Sequence, residues 1–137
     1  MLRFFNKYLF MQLIKHYFLS CLTSLAIIIL SVIPIPEVPE LSEVPLWDKW
    51  VHFVMYGGLS LVLWFDYCRK KKQRRVNVRV VALTLIYPTV LGGLLELVQA
   101  YCTTCRSGDM LDFYADAIGA CLGFILGVCV VRKLRFF

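Results

Sequence analysis

Residues 17–35 read YFLSCLTSLAIIILSVIPI. No charged side chain lies between His16 and Glu37, and the centre from Ala26 to Ile33 is almost wholly aliphatic. A helix needs roughly 20 apolar residues to cross the ~30 Å hydrocarbon core of a bilayer, so this run suffices. The competing reading is a cleaved signal peptide, because the segment before it is basic. The run is long for that role and no A-x-A-like site follows it. Pro34 and Pro36 end it instead, and it is read as an uncleaved span.

Working outward, three further apolar runs follow at about 47–67, 78–101 and 110–131. Trp47, Trp50, Trp64, Tyr67, Tyr101 and Tyr114 lie near their ends, where aromatic belts form. Tyr87-Pro88 falls inside the third run. Proline there removes one backbone hydrogen bond and is expected to kink the helix, which membrane helices tolerate where neighbours compensate. An apolar share of 60% is too high for a soluble domain, which averages roughly 45–50%. The net charge of +6 does not point to nucleic acid, because the basic residues cap apolar spans instead of interleaving with polar ones. Little of the 137 residues remains once four spans are counted. The expectation is an all-α, integral membrane four-helix bundle forming a single domain over 1–137.

The charges between the runs segregate by sign. Arg3, Lys7, Lys15, Arg69, Lys70, Lys71, Lys72, Arg74, Arg75, Arg79, Arg132, Lys133 and Arg135, 13 of the 15 Lys and Arg, lie in the first, third and last connecting segments. Lys49 and Arg106 sit with 8 of the 9 Asp and Glu in the other connectors or at the span ends beside them. Lys and Arg stay on the cytoplasmic side of short loops. The expected topology is therefore N-in/C-in, with Pro36–Leu46 and Cys102–Asp109 facing outward. The Arg69–Arg79 loop serves as a topology determinant and can also attract anionic headgroups of membrane lipids.

The uncharged stretches of the last three spans are short. Lys49 to Asp66 leaves 16 residues, Arg79 to Glu96 leaves 16, and Asp116 to Arg132 leaves 15. With the basic ends held at the cytoplasmic surface, the outer ends take up the shortfall. His52, Glu96 and Asp116 then lie at or below the outer headgroup boundary, with Asp48, Lys49, Gln99 and Asp112 just above them. Ionisable groups at such depth normally face a protein interior or a wet cavity. Asp48, His52 and Tyr56 share one helical stripe; Glu96 and Gln99 form another, and Asp109, Asp112 and Asp116 a third. The lowest-cost arrangement points the three stripes at each other. Lys49 and Arg106 are too few to neutralise the nearby acids, so raised carboxyl pKa values or a bound cation are expected. The bland alternative is a purely structural network of interhelical hydrogen bonds.

These residues resemble a known family. Asp48-Lys49-x-x-His52-Phe53-x-x-Tyr56, Gly93-x-x-Glu96-x-x-Gln99, and Arg106 followed by Asp109-x-x-Asp112-x-x-x-Asp116-x-x-Gly119-x-x-x-Gly123 together look like the VanZ-like pattern over roughly residues 20–131. Asp116 belongs to a D-x-x-x-N/D-x-x-G run in which Asn is frequent. The resemblance implies a small multi-pass protein of the bacterial inner (cytoplasmic) membrane, in a family named for a protein linked to teicoplanin resistance. It marks Lys49, His52, Tyr56, Glu96, Gln99, Arg106, Asp112 and Asp116 as family-type positions.

The site admits three functions. One is an enzyme acting on a lipid-linked cell-envelope intermediate, with His52 and Glu96 as acid–base groups, Lys49 and Arg106 as anion clamps, and Asp116 as an orienting or metal-binding carboxylate. No G-x-S-x-G, H-E-x-x-H or Walker loop supports it. Another is a binding or transport module, in which Asp48, Tyr56, Gln99, Asp109 and Asp112 help hold a cationic ligand. His52, Asp112 and Asp116 are the candidate ligands of a divalent cation. The third is a structural subunit of an envelope assembly. Elsewhere, Gly119, Gly123 and Gly127 suit close helix packing within the bundle or a dimer contact, and Gly57-Gly58 and Gly92-Gly93 read as packing sites. Cys102-x-x-Cys105 in an outward loop is a disulfide or a pair of free thiols.

Overall fold

A computed structural model describes residues 11–33, 44–70, 76–103 and 108–133. The described residues form helices and short connecting turns: α1 (Phe18–Val32), α2 (Trp47–Lys70), α3 (Val78–Cys102) and α4 (Met110–Lys133). α2, α3 and α4 are each long and apolar enough to cross a membrane. α1 is shorter at 15 residues. The expected run of 17–35 thus begins where foreseen, but its helix ends at Val32, and Pro34 and Pro36 lie outside the described residues. Helical hydrogen bonding continues upstream instead. Tyr17 N–H donates to Leu13 O and Cys21 N–H to Tyr17 O, so the path is helical from residue 11 through a bend at Tyr17.

α1 shows why this chain suits lipid. Its buried positions are Ser20, Ser24, Ile27 and Ser31, while Phe18, Leu22, Leu25, Ile29 and Leu30 are exposed. A water-soluble helix would be built the other way round. Small hydroxyl residues let helices approach closely, and an apolar outer surface matches hydrocarbon. Val54 and Phe65 of α2, Val90, Leu94 and Leu97 of α3, and Ile118 and Ile125 of α4 extend the exposed apolar surface.

Successive helices run antiparallel. Ser20 near the start of α1 meets Asp66 near the end of α2, Ser60 of α2 meets Thr84 of α3, and Ser31 at the end of α1 meets Gln99 at the end of α3. α2 and α4 run parallel and pack most closely. A Cβ added at Gly119 would meet the Phe53 backbone, one at Gly123 the Gly57 carbonyl and Ser60 Cβ, and one at Gly127 the Trp64 indole. The glycine stripe is therefore spent on packing inside the chain. Gly57 fits the same seam and Gly93 faces the Phe113 ring, whereas a Cβ at Gly58 would meet nothing within 4 Å.

The expected disturbance at Pro88 takes a specific form. The backbone does not simply break: Ala82–Ile86 widens into a π turn, in which Tyr87 N–H bonds Ala82 O. Proline at 88 has no N–H for the carbonyl four residues earlier, Thr84 O. Ser60 Oγ of α2 supplies the missing donor at 2.6 Å. Ser60→Ala should leave that buried carbonyl unpaired and lower stability by about 1–2 kcal/mol. SDS titration followed by circular dichroism measures it, and an unchanged midpoint would refute the compensation.

Candidate functional site

The first turns of α2 and α4 and the last turns of α3 meet at one end of the molecule. Asp109 is the node. Its carboxylate accepts from Leu111 N–H at 2.9 Å, capping α4, while its own N–H donates to Glu96 Oε2 at 2.8 Å. Its other oxygen receives Lys49 Nζ at 2.6 Å. The Lys49 hydrogen bond, helped by the Leu111 amide, holds the Asp109 carboxyl below the usual carboxylate range. Lys49 also forms an ion pair with Asp112 Oδ1 at 2.6 Å, a charge contact rather than an aligned hydrogen bond, and lies 4.0 Å from Asp48. Acids in the first turns of α2 and α4, Asp48 and Asp112, also suit the positive helix ends.

Below this rim lies a buried layer. His52 Nδ1 sits 2.9 Å from Asp116 Oδ1 and 3.9 Å from Glu96 Oε1. His52, Glu96 and Asp116 are 3%, 8% and 0% exposed, and each comes from a different helix. Tyr56 is buried one turn below His52, with the rings near parallel at a centroid distance of 6.4 Å. Gly92 makes room for Asp116, since a Cβ there would lie 2.5 Å from Oδ2. That oxygen is buried with no hydrogen-bond partner.

The structure thus brings together Asp48, Lys49, His52, Tyr56, Glu96, Asp109, Asp112 and Asp116. Arg106, the other expected cation, lies outside the described residues, as does Cys105; Cys102 is exposed at the end of α3. Gln99 is turned elsewhere: its amide N–H donates to Ser31 O at 2.9 Å and ties α3 to α1. The reason is angular, because a residue three positions on is rotated about 60° around the helix from Glu96.

A second buried carboxylate sits towards the opposite end. Asp66 Oδ2 accepts from Ser20 N–H at 3.0 Å and Ser20 Oγ at 2.7 Å, serving the amide that the bend at Tyr17 releases. Beside it, a cleft of ≈140 Å³ is walled mainly by Tyr17, Ser20, Cys21, Leu63, Leu83 and Tyr87. The cleft is far more apolar than the acidic cluster and distinct from it. In the sequence Asp66 stands out only as the one acid that bounds an apolar stretch on the basic side; that Ser20 of α1 faces it is set by the fold.

Chemically, the cluster is rich in acceptors and poor in charge donors. Five carboxyl groups face one ammonium and one imidazole among the described residues, and that ammonium is already paired. The arrangement suits holding a positive group.

An uncharacterized protein of the yeast Schizosaccharomyces pombe is similar to this chain, 32% identical over 93 residues covering 66% of the chain. The chain spans about half the length of that curated relative, with 52% of it covered. No family model matches the chain, and no solved structure matches it.

Proposed function

We propose that this chain is a VanZ-like integral membrane protein whose acidic cluster, at the outer boundary of the bilayer, binds a cationic group carried by a membrane lipid or lipid-linked ligand. The observation that carries the reading is the convergence of five carboxyl groups at one end of the molecule, three of them around the already paired Lys49 and two around His52. Ionisable groups at membrane depth are costly and mark ligand or ion paths.

The reading includes four crossings with both termini on the cytoplasmic side. α1 and the turns before it support this with a helical path over 11–32, interrupted only by the turn at Tyr17 and about 33 Å long at 1.5 Å per residue. Lys15 is exposed and can extend its ammonium to the interface. The antiparallel order of successive helices and the basic Arg69–Arg79 loop fit the same sidedness.

Protein in nanodiscs should enrich lipids with a primary-amine headgroup over neutral ones. Asp48→Asn with Asp112→Asn should weaken that preference about tenfold, or roughly 1.4 kcal/mol. Lys49 keeps Asp109 as a partner in this variant. Lipid preference that ignores the double substitution while the fold persists would favour the alternative, an interhelical network that only holds the helices together.

A further inference from the structure

We propose that His52, Glu96 and Asp116 form a binding site for one divalent transition-metal ion of the Zn²⁺ or Mn²⁺ type. The inference rests on the acidic cluster being a ligand site, and it concerns the buried layer below the rim. Donor atoms of the three residues all lie within 4.8 Å of one another. At metal–ligand distances near 2.1 Å, neighbouring donors in a tetrahedral or octahedral shell stand roughly 3.0–3.4 Å apart. The His52–Asp116 pair, hydrogen-bonded at 2.9 Å without an ion, stands just below that range. The His52–Glu96 separation of 3.9 Å needs only a small movement of the Glu96 carboxylate.

Three further observations point to an ion. Asp116 Oδ2 is fully enclosed without a partner, a state that buried polar atoms rarely hold without a missing water or ion. Glu96 and Asp116 have no Lys or Arg within ion-pair distance among the described residues, so a divalent cation matches their charge. Glu96 is oriented from behind, because Oε2 is occupied by the Asp109 N–H and Oε1 is left towards His52. Such outer contacts orient metal ligands. Asp48, His52 and Asp112 also lie within mutual reach of an ion, but Asp112 is already paired with Lys49 and Asp48 is exposed. One imidazole with two carboxylates suits borderline first-row ions, and three protein ligands leave a position open for water or a headgroup oxygen. With the ion in place, Asp48, Asp109 and Asp112 still outnumber Lys49 at the rim, so a cationic headgroup and the metal need not share one shell.

The full chain, purified in detergent and stripped with EDTA, should take up one Zn²⁺ or Mn²⁺ per molecule by elemental analysis and titration calorimetry. Asp116→Asn and Glu96→Gln, near-isosteric changes, should each weaken binding at least about 100-fold, while Cys102→Ser with Cys105→Ser leaves it unchanged. X-ray absorption of the Zn²⁺-loaded natural sequence should show a nitrogen–oxygen shell with a single imidazole and no sulfur, a readout that needs no variant to fold. No uptake above blank, sulfur in the shell, or full affinity in both carboxylate variants would overturn the proposal. Amine-lipid preference measured in EDTA separates the two ideas. Its persistence without metal uptake removes the ion and keeps the headgroup site, and its absence alongside stoichiometric uptake does the reverse.

Discussion

Gly123→Leu is expected to abolish the folded state. The seam between α2 and α4 is set by backbone approach, and a Cβ at Gly123 would lie 2.8 Å from Ser60 Cβ and closer still to the Gly57 carbonyl. Neither atom is the free end of a flexible side chain, so the helices themselves must part. Gly123→Ala should cost about 1–3 kcal/mol as ordinary overpacking, and leucine more than about 4 kcal/mol. Gly58→Ala is the matched control: its added methyl meets nothing, and better helix propensity should leave stability unchanged or higher by up to about 1 kcal/mol. Circular dichroism during SDS titration reads all three. A Gly123→Leu protein that melts normally and loses only a dimer would move the stripe from the interior to an interface between copies.

Asp66→Ala should release α1. The carboxylate satisfies both the backbone N–H and the hydroxyl of Ser20, and α1 has no side-chain cap of its own at Tyr17. Removing it leaves two buried donors unpaired. At about 1.5–3 kcal/mol for each bond to a charged group, the loss is about 3–6 kcal/mol. Asp66→Asn keeps an acceptor and should cost about 1–2 kcal/mol. Hydrogen exchange should show the amides around Ser20 to Ser24 losing protection first, with the α2–α4 seam unaffected. Uniform loss across all helices, or none, would show that Asp66 is not the anchor of α1.

Much of this architecture is legible in the sequence. The runs at 47–67, 78–101 and 110–131 differ from α2, α3 and α4 by three residues or fewer at either end, because charge or a turn bounds each one. The meeting of Lys49, His52, Glu96, Asp112 and Asp116 was legible for a related reason: groups too costly to leave in lipid had one inexpensive place to go. Other features depended on partners far away in sequence. Gln99 shares a stripe with Glu96 in a coarse helical count, yet the Ser31 carbonyl claims it. Proline 88 announces a missing hydrogen bond but not that Ser60 replaces it. Asp66 marked only the end of an apolar stretch until α1 was laid beside it. Local pattern identifies a stranded group, and tertiary structure identifies what satisfies it.

The π turn at Ala82–Ile86 also sets the phase of everything after it in α3. An i→i+5 turn holds one residue more than an α turn, and each α-helical residue advances the face by about 100°. Gly92 and Glu96 therefore owe their angular position to one supernumerary residue half a membrane away. Deleting a single residue there would remove the π turn and swing both off Asp116, though no residue of the cluster had changed. A one-residue insertion or deletion in that stretch would therefore re-aim the cluster without touching any of its residues.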